Sequence, residues 1–443
     1  MAAHWGVASV PEKPGKTAVE MFQAAADGQI KLLWIACTNP AQSMPDQAMI
    51  HEALQHAEFV IVQEAFGHTE TCAYADLLLP ATTWGEKEGT VTNSERAITR
   101  VRAAVSAPGE ARHDWAIVVD FARRLGIQLG KGDLAARMFP YTSPEEVWNE
   151  HRESTRGRDL DITGLSYSLL ETAGPQQWPF PEGAQKGKVR LYEDGVFPTP
   201  SGRARFVATE HRITAESPSA RYPLHLNTGR LRDQWHGMSR TGLVARLYSH
   251  ESEPLLHMHK DDMERRDLSN GDLVEVKSNR GSVVLKVIES ATLRPGQTFV
   301  PMHWGSNTMG GQGVNVLLPR NFDPTSKQPE LKHAAIQVVK YTAGKALVAI
   351  VRRAALAIAG LAVRVIAGLV GLAAPGKLLQ PQPAQPAVAV LLSCAVAQPG
   401  QADVQLGFDA QQHRVFAGLL GGAQQAQRQA GVVLLRGADR LDA

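Results

Sequence analysis

Two short apolar runs with a single amphipathic segment between them constrain the first part of this chain more than any other feature. Residues 31–36 carry Leu32, Leu33, Trp34 and Ile35 and end in Thr38-Asn39-Pro40. Residues 57–62 carry Phe59, Val60, Ile61 and Val62 and end in Gln63-Glu64. Apolar runs this short, closed by polar residues or proline, read as buried strands of a parallel sheet. Residues 45–57 between them place Met49, Ile50, Ala53 and Leu54 on one helical face. Residues 114–125 form a second amphipathic helix with Trp115, Ile117, Val118, Phe121 and Leu125. Open α/β sheets bind ligands beyond the carboxyl ends of their strands, where Asn39, Gln63 and Glu64 lie. Neither run is followed by G-x-G-x-x-G, which disfavours an ordinary nicotinamide-dinucleotide site.

The periodicity changes after about residue 220. Residues 273–278 and 282–287 are strands joined by Asn279-Arg280-Gly281, a hairpin signal. Residues 297–300 and 335–339 read as further strands, and several short strands with regular turns suggest a closed barrel. A strand at residues 222–226 leads into Asn227, Thr228, Gly229, Arg230, Leu231, Arg232, Asp233, Gln234, Trp235 and His236. Arginine forks suit pyrophosphate oxygens, and glycine lets backbone approach a ligand. Asp233 and Gln234 suit the edge of a purine-like or pterin-like ring. The plainer reading is an exposed polar loop. Between the two regions, Trp178-Pro179-Phe180-Pro181 with Gly183 and Gly187 implies irregular packed loops, and residues 188–192 and 204–207 look like strands.

The 443 residues allow two to four domains. A net charge of +2, with no dense basic run, gives no argument for nucleic acid. The three cysteines, Cys37, Cys72 and Cys394, form no C-x-x-C pair, so this chain alone cannot build a cysteine-held zinc or iron–sulfur site. The N-terminus shows no basic segment followed by an apolar run, which favours the cytoplasm. Beyond residue 342 the composition turns to Ala, Leu, Val, Gly and Gln. Residues 354–375 are apolar enough to imitate a membrane span, but Arg364 sits near the middle, and residues 380–386 form a Pro/Gln linker. This tail is read as an out-of-frame or disordered extension rather than a span.

The strand followed by Thr228-Gly229-Arg230 and Trp235-His236 resembles the start of the dinucleotide-binding domain of molybdopterin oxidoreductases, especially nitrate reductases. The ordered series from Trp34 to Pro40, Val60 to Glu64, Ala75 to Pro80, Trp84 to Thr90 and Asn93 to Arg96 is similar to that family's third domain. Val300 to Gly305, Asn315 and Leu331 to His333 resemble its C-terminal cofactor loop, and Met302-His303-Trp304-Gly305 looks more like the assimilatory than the periplasmic nitrate reductases. The resemblance runs to about Tyr341. It implies a Rossmann-like parallel α/β domain (1–150), a connecting segment (151–215) and a double-psi β-barrel (216–341), with the tail (342–443) outside the pattern.

The resemblance also implies a molybdenum bis(molybdopterin guanine dinucleotide) cofactor held by Asn39, Gln63, Glu64, Lys87, Asp114, Thr228, Gly229, Arg230, Asp233, Trp235, His236, His303, Asn315 and Lys332. The 4Fe–4S cluster and the protein ligand to molybdenum belong to parts of the family absent here. The chain is therefore expected to be a C-terminal, cofactor-holding portion of a nitrate reductase catalytic subunit. Nitrate is its expected substrate. Its electron donor is a ferredoxin, a flavodoxin or an NADH-linked flavoprotein subunit, and neither nucleic acid nor membrane is expected as a partner. A formate dehydrogenase-like oxidoreductase and a non-catalytic cofactor-binding remnant are the alternatives.

Plainer roles stand beside several of these. Lys87 has a surface pair with Glu86 or Glu88 open to it, and Asp114 a helix N-cap. Glu86, Glu88 and Glu95 are expected to partner Arg96 and Arg100 rather than act as a hydrolase acid pair. His257, His259, Asp261 and Asp262 imitate a metal cluster, but two His at i and i+2 share a face only in a strand. Cys37 and Cys72 adjoin apolar runs and are expected to be buried.

Overall fold

The computed structural model describes residues 2–342. Strands β1 (Leu32–Ala36), β2 (Phe59–Glu64) and β3 (Leu77–Pro80) form a parallel sheet in that order. Helix Gln47–His56 links β1 to β2 and buries Met49, Ile50, Ala53 and Leu54 against Leu33, Ile35, Val60 and Val62. Helix Ala18–Ala26 adds Val19, Phe22 and Ala25 to the same core. Its first turn is closed by a capping box, in which Thr17 accepts from the Glu20 amide and Glu20 accepts from the Thr17 amide.

Strands β4 (Gly89–Thr92), β5 (Ala97–Val101) and β6 (Gln176–Gln177) make a small antiparallel sheet. It packs with Trp148, Leu165, Tyr167, Leu170 and Phe180. Arg100 pairs with Glu88 at 2.8 Å and lies over the Tyr167 ring. The expected Glu95 partnership is not made. Arg96 instead donates to the carbonyls of Trp178, Lys188 and Val189, because a guanidinium fork can satisfy several acceptors that the loop leaves open. Glu86 serves as the N3 member of a second capping box with Thr83.

Six strands close into a barrel: β7 (Leu224–Gly229), β8 (Leu255–Met258), β9 (Leu273–Lys277), β10 (Ser282–Glu289), β11 (Gln297–Pro301) and β12 (Ala334–Lys340). Their order is β10-β8-β11-β7-β12-β9. Alternate residues turn inward, so Leu226, Leu256, Met258, Val274, Val276, Val287 and Ile336 are wholly buried. The β9–β10 hairpin closes through the Ser278 N–H donating to Gly281 O at 3.0 Å. Two neighbouring pairs, β10/β8 and β11/β7, are parallel. The second has a functional consequence. β7 and β11 end on the same side of the barrel, which sets residues 230–236 beside residues 302–305.

Several sequence readings need correction. β7 continues through Thr228 and Gly229, so these two lie in a strand rather than a turn, held by pairing with Val300 and Pro301. Residues 188–192 and 204–207 form no strand. Val189 and Phe206 are exposed, and apolar content makes a strand only where a neighbour supplies the ladder. Helix Asp114–Gln128 forms, but Val118, Phe121 and Leu125 are exposed; its apolar stripe is only partly covered among the described residues. His113, not Asp114, occupies the N-cap. His257 lies in β8, while His259 caps helix Lys260–Glu264 by accepting from the Asp261 N–H. Among the described residues no group of three metal-binding side chains gathers, and no helix is long and apolar enough to cross a membrane. The readings of residues 354–375 and 380–386, and of Cys394, fall outside the described residues.

Candidate functional site

The loops after β1, β2 and β3 face the loop after β7 across a cleft of about 480 Å³. Cys37, Thr38 and Asn39 follow β1; Glu64 ends β2 and Ala65 and Phe66 follow it; Thr82 to Trp84 and Lys87 follow β3; Trp235, His236 and Arg240 form the opposite wall. The carboxyl-end rule for parallel sheets thus places this cleft.

Asp114 is the hub of the first wall. Its carboxylate accepts from Lys87 Nζ at 2.7 Å and from Gln63 Nε2 at 2.8 Å, and the Cys37 thiol lies 3.5 Å away. Burial acts to raise the Asp114 pKa, but the hydrogen bonds from Lys87 and Gln63 outweigh it and hold the group below its usual range. Lys87 therefore answers Asp114 rather than Glu86 or Glu88. Gln63 is buried, its Oε1 has no partner among the described residues, and its Nε2 orients the Asp114 carboxylate from behind the cleft wall. Glu64 turns back on the chain and accepts from the amides of Ala65 and Phe66. Cys37 is exposed, contrary to expectation, because it sits past the strand end with a φ of 58°. Partial burial and the Asp114 carboxylate push its thiol up to about 11, so it is a protonated, weakly nucleophilic group at neutral pH.

The second wall is cationic. Trp235 is exposed, with the Arg230 guanidinium 4.9 Å from its ring centre and that of Arg240 at 5.8 Å. Burial first, then Arg230 and Arg240, lowers the His236 pKa, keeping that ring neutral. Asp233 is tied to Arg232 at 2.9 Å. A second cavity of about 600 Å³ is lined by Arg230 together with Thr228, Gly229, Phe299 and Lys332 among others. Thr228 Oγ1 donates to Leu331 O and Lys332 Nζ donates to Thr228 O at 2.8 Å. A Cβ on Gly229 would meet the Phe299 ring at 2.7 Å, so only glycine leaves this wall its shape.

Three candidate residues are placed differently, with their polar atoms engaged inside the protein. Asn39 donates to Glu70 and accepts from the Thr71 amide and hydroxyl. Asn315 Nδ2 donates to the carbonyls of Gln42 and Ser43. His303 is wholly buried and bonded at both ring nitrogens. Gln42 was not singled out from sequence. It donates to His303 O at 2.8 Å, and its side chain fills the space beside Gly237 and Gly305. Arg240 was also missed. Gln42 lies just past β1 and Arg240 five residues past Trp235, and extending the strand-end rule a few residues would have reached the first.

Residues 1–124 match the family model described as Molybdopterin oxidoreductase, and residues 224–335 match the Molydopterin dinucleotide binding domain. A nitrate reductase of Klebsiella oxytoca is 39% identical over 352 residues, covering 77% of this chain and 39% of the relative. The assimilatory nitrate reductase catalytic subunit of Bacillus subtilis is 35% identical over 342 residues, covering 76% of this chain and 46% of the relative. The chain thus spans less than half the length of both. The structure of acetylene hydratase from Pelobacter acetylenicus superposes with a TM-score of 0.56 at 18% identity, covering 72% of this chain and 46% of that one, which speaks to the fold alone. A parallel-sheet cleft facing a six-stranded barrel accords with both matched segments, and the chain belongs to the molybdopterin oxidoreductase family.

Proposed function

We propose that the chain is the cofactor-holding part of an assimilatory-type, molybdenum-dependent nitrate reductase, which converts nitrate to nitrite. The observation that carries this is the hydrogen-bonded Asp114–Lys87–Gln63 cluster set across the cleft from the Arg230–Trp235–Arg240 stack. One wall offers a carboxylate oriented by Gln63 and Lys87 to a guanine-type edge, and the other offers guanidiniums to pyrophosphate oxygens. The donor set therefore fits a molybdopterin guanine dinucleotide. The cavity beside Gly229, Phe299 and Lys332 is the surface this reading gives to the second dinucleotide of a bis cofactor. When bound, that cofactor supplies the two-electron oxygen abstraction from nitrate.

The chain's own residues bind and orient. Asp114 would take the guanine edge with Gln63 orienting it, Lys87 would offset negative charge while holding Asp114 ionised, and Arg230, Arg240 and Lys332 would meet phosphate or pterin oxygens. Thr228 fixes the strand end from which Arg230 projects. In this reading the N-terminal α/β part (1–150) is Rossmann-like, the barrel (216–341) is of the double-psi type, and residues 151–215 connect them. The 4Fe–4S relay and the protein ligand to molybdenum would lie in sequence that the relatives have beyond this chain's match.

The test is metal analysis of the purified full chain, alone and with the remaining part of a relative's catalytic subunit supplied. It is paired with an assay of nitrate reduction by a reduced viologen dye. Molybdenum and nitrite formation that both depend on Arg230 support the proposal. Formate oxidation without nitrate reduction would replace it with the formate dehydrogenase reading. Failure to take up molybdenum under any of these conditions would overturn the cofactor assignment.

A further inference from the structure

We infer that His303 is a positioning residue: its imidazole latches the two ends of residues 231–236 to the barrel end and so sets the cationic wall of the cleft without facing the ligand. The ring is wholly buried. Its Nδ1 lies 2.7 Å from His236 O, and its Nε2 lies 2.8 Å from the Leu231 amide nitrogen. Both partners are backbone groups, one only an acceptor and one only a donor. They fix the ring as the neutral Nδ1–H tautomer, donating to His236 and accepting from Leu231. The backbone of the same residue is pinned from the other side, because Gln42 Nε2 donates to His303 O at 2.8 Å. The latch thus joins the loop after β1, the loop after β11 and the loop after β7.

What it holds is strained. His236 has a φ of 43°, a left-handed conformation that a side-chain-bearing residue adopts only when its surroundings impose it. The bond at His236 O closes that turn, and the bond at the Leu231 amide fixes the residue next to Arg230. Between the two anchors, Gln234 is buried and donates to Leu247 O. The turn therefore presents Trp235 outward between Arg230 and Arg240.

The latch has a built-in proton dependence. A second proton on the ring would sit on Nε2 and point at the Leu231 N–H, breaking that bond. Burial disfavours the protonated ring most, the hydrogen bond to His236 O favours it, the charges of Arg230 and His236 disfavour it and Glu251 favours it; the balance lowers the His303 pKa. The latch is therefore closed at neutral pH and opens only as pH falls below the ordinary histidine range.

The meaning of the wall as a cofactor surface rests on the proposed function, but the latch is tested without cofactor. The probes are imidazole nitrogen NMR of the full chain and hydrogen exchange at the Leu231 amide, with Val276 in the barrel as reference. The Nδ1–H tautomer is expected. So is a Leu231 protection factor that falls at least about tenfold from about pH 7.5 to about pH 5 while Val276 holds. His303→Leu should lose that protection at both pH values. His303→Gln, whose amide oxygen replaces Nε2 as acceptor, should keep it at neutral pH and show no acid-induced fall. An Nε2–H tautomer, or Leu231 protection unchanged in His303→Leu with Val276 intact, would overturn the inference. If the Leu variant fails to fold, the wild-type tautomer and its pH profile decide. A failed cofactor assignment would show itself separately, as absent molybdenum in a chain whose latch measurements hold.

Discussion

Asp114 and Arg230 illustrate how single side chains set this cleft. Lys87 and Gln63 both donate to Asp114, so the carboxylate is ionised and oriented before any ligand arrives. Its pKa is lowered in the fold, so its contribution to stability is complete above the unfolded carboxylate pKa of about 3.9 and is lost as pH falls through the lower folded value. Asp114→Asn should remove that acid-side dependence and, because the pair is partly exposed, cost at most about 1 kcal/mol at neutral pH. Urea titrations of both proteins across the acid range would reveal it; parallel acid limbs would count against the assignment. Arg230 makes no ion pair among the described residues and spends its charge on the Trp235 face and the cavity beside Gly229 and Lys332. Arg230→Ala should leave the fold intact and lower molybdenum retention several-fold in the reconstituted enzyme, read as metal per chain after gel filtration. Unchanged metal content would remove Arg230 from the site.

The elements meet through small residues placed where a larger one cannot go. A Cβ on Gly305 would stand 2.6 Å from Gln42 Cγ and from Glu70 Oε1, and one on Gly237 would stand 2.0 Å from Gln42 Oε1. Gln42 is thus a wedge between the loop after β1 and the two loops at the barrel end. Gly305→Ala should cost about 1–3 kcal/mol by overpacking. In a Gln42→Ala background the same change should cost clearly less, since the clash has lost one partner. A double-mutant cycle by chemical denaturation measures this, and strict additivity would show that the two do not share the contact. The helix Asp114–Gln128 shows the opposite case. Its spacing is amphipathic, yet only Ile117, Val119 and Gly126 are buried, and Val118, Phe121 and Leu125 remain exposed.

At the scale of the molecule, Leu129 extends that exposed stripe, and a contiguous apolar surface in water favours association. Leu125→Glu combined with Leu129→Lys should lower self-association of the purified chain, measured by sedimentation velocity, with the barrel unaffected. Equal association would place the contact elsewhere. The purified chain should also show no stoichiometric iron–sulfur absorbance, since its three cysteines lack cluster spacing.

The sequence by itself determined the local elements and where the chemistry had to emerge. Apolar runs bounded by polar residues at 31–36 and 57–62 became β1 and β2, Met49, Ile50, Ala53 and Leu54 became a buried helix face, and Asn279-Arg280-Gly281 became a hairpin, because period and turn chemistry are local properties. Gln63, Glu64 and the run from Thr228 to His236 were legible as strand-end residues for the same reason. Only the tertiary structure decided who meets whom. The parallel pairing of β7 with β11 joins segments about seventy residues apart, and no short-range pattern encodes it. That pairing brings His303 to Leu231 and His236, contact between the α/β part and the barrel brings Gln42 to His303, and packing within the α/β part brings Asp114 to Lys87 and Gln63. The strand-like segments at 188–192 and 204–207 stayed unpaired and Cys37 came to the surface, because burial and strand formation depend on neighbours that a linear sequence does not name.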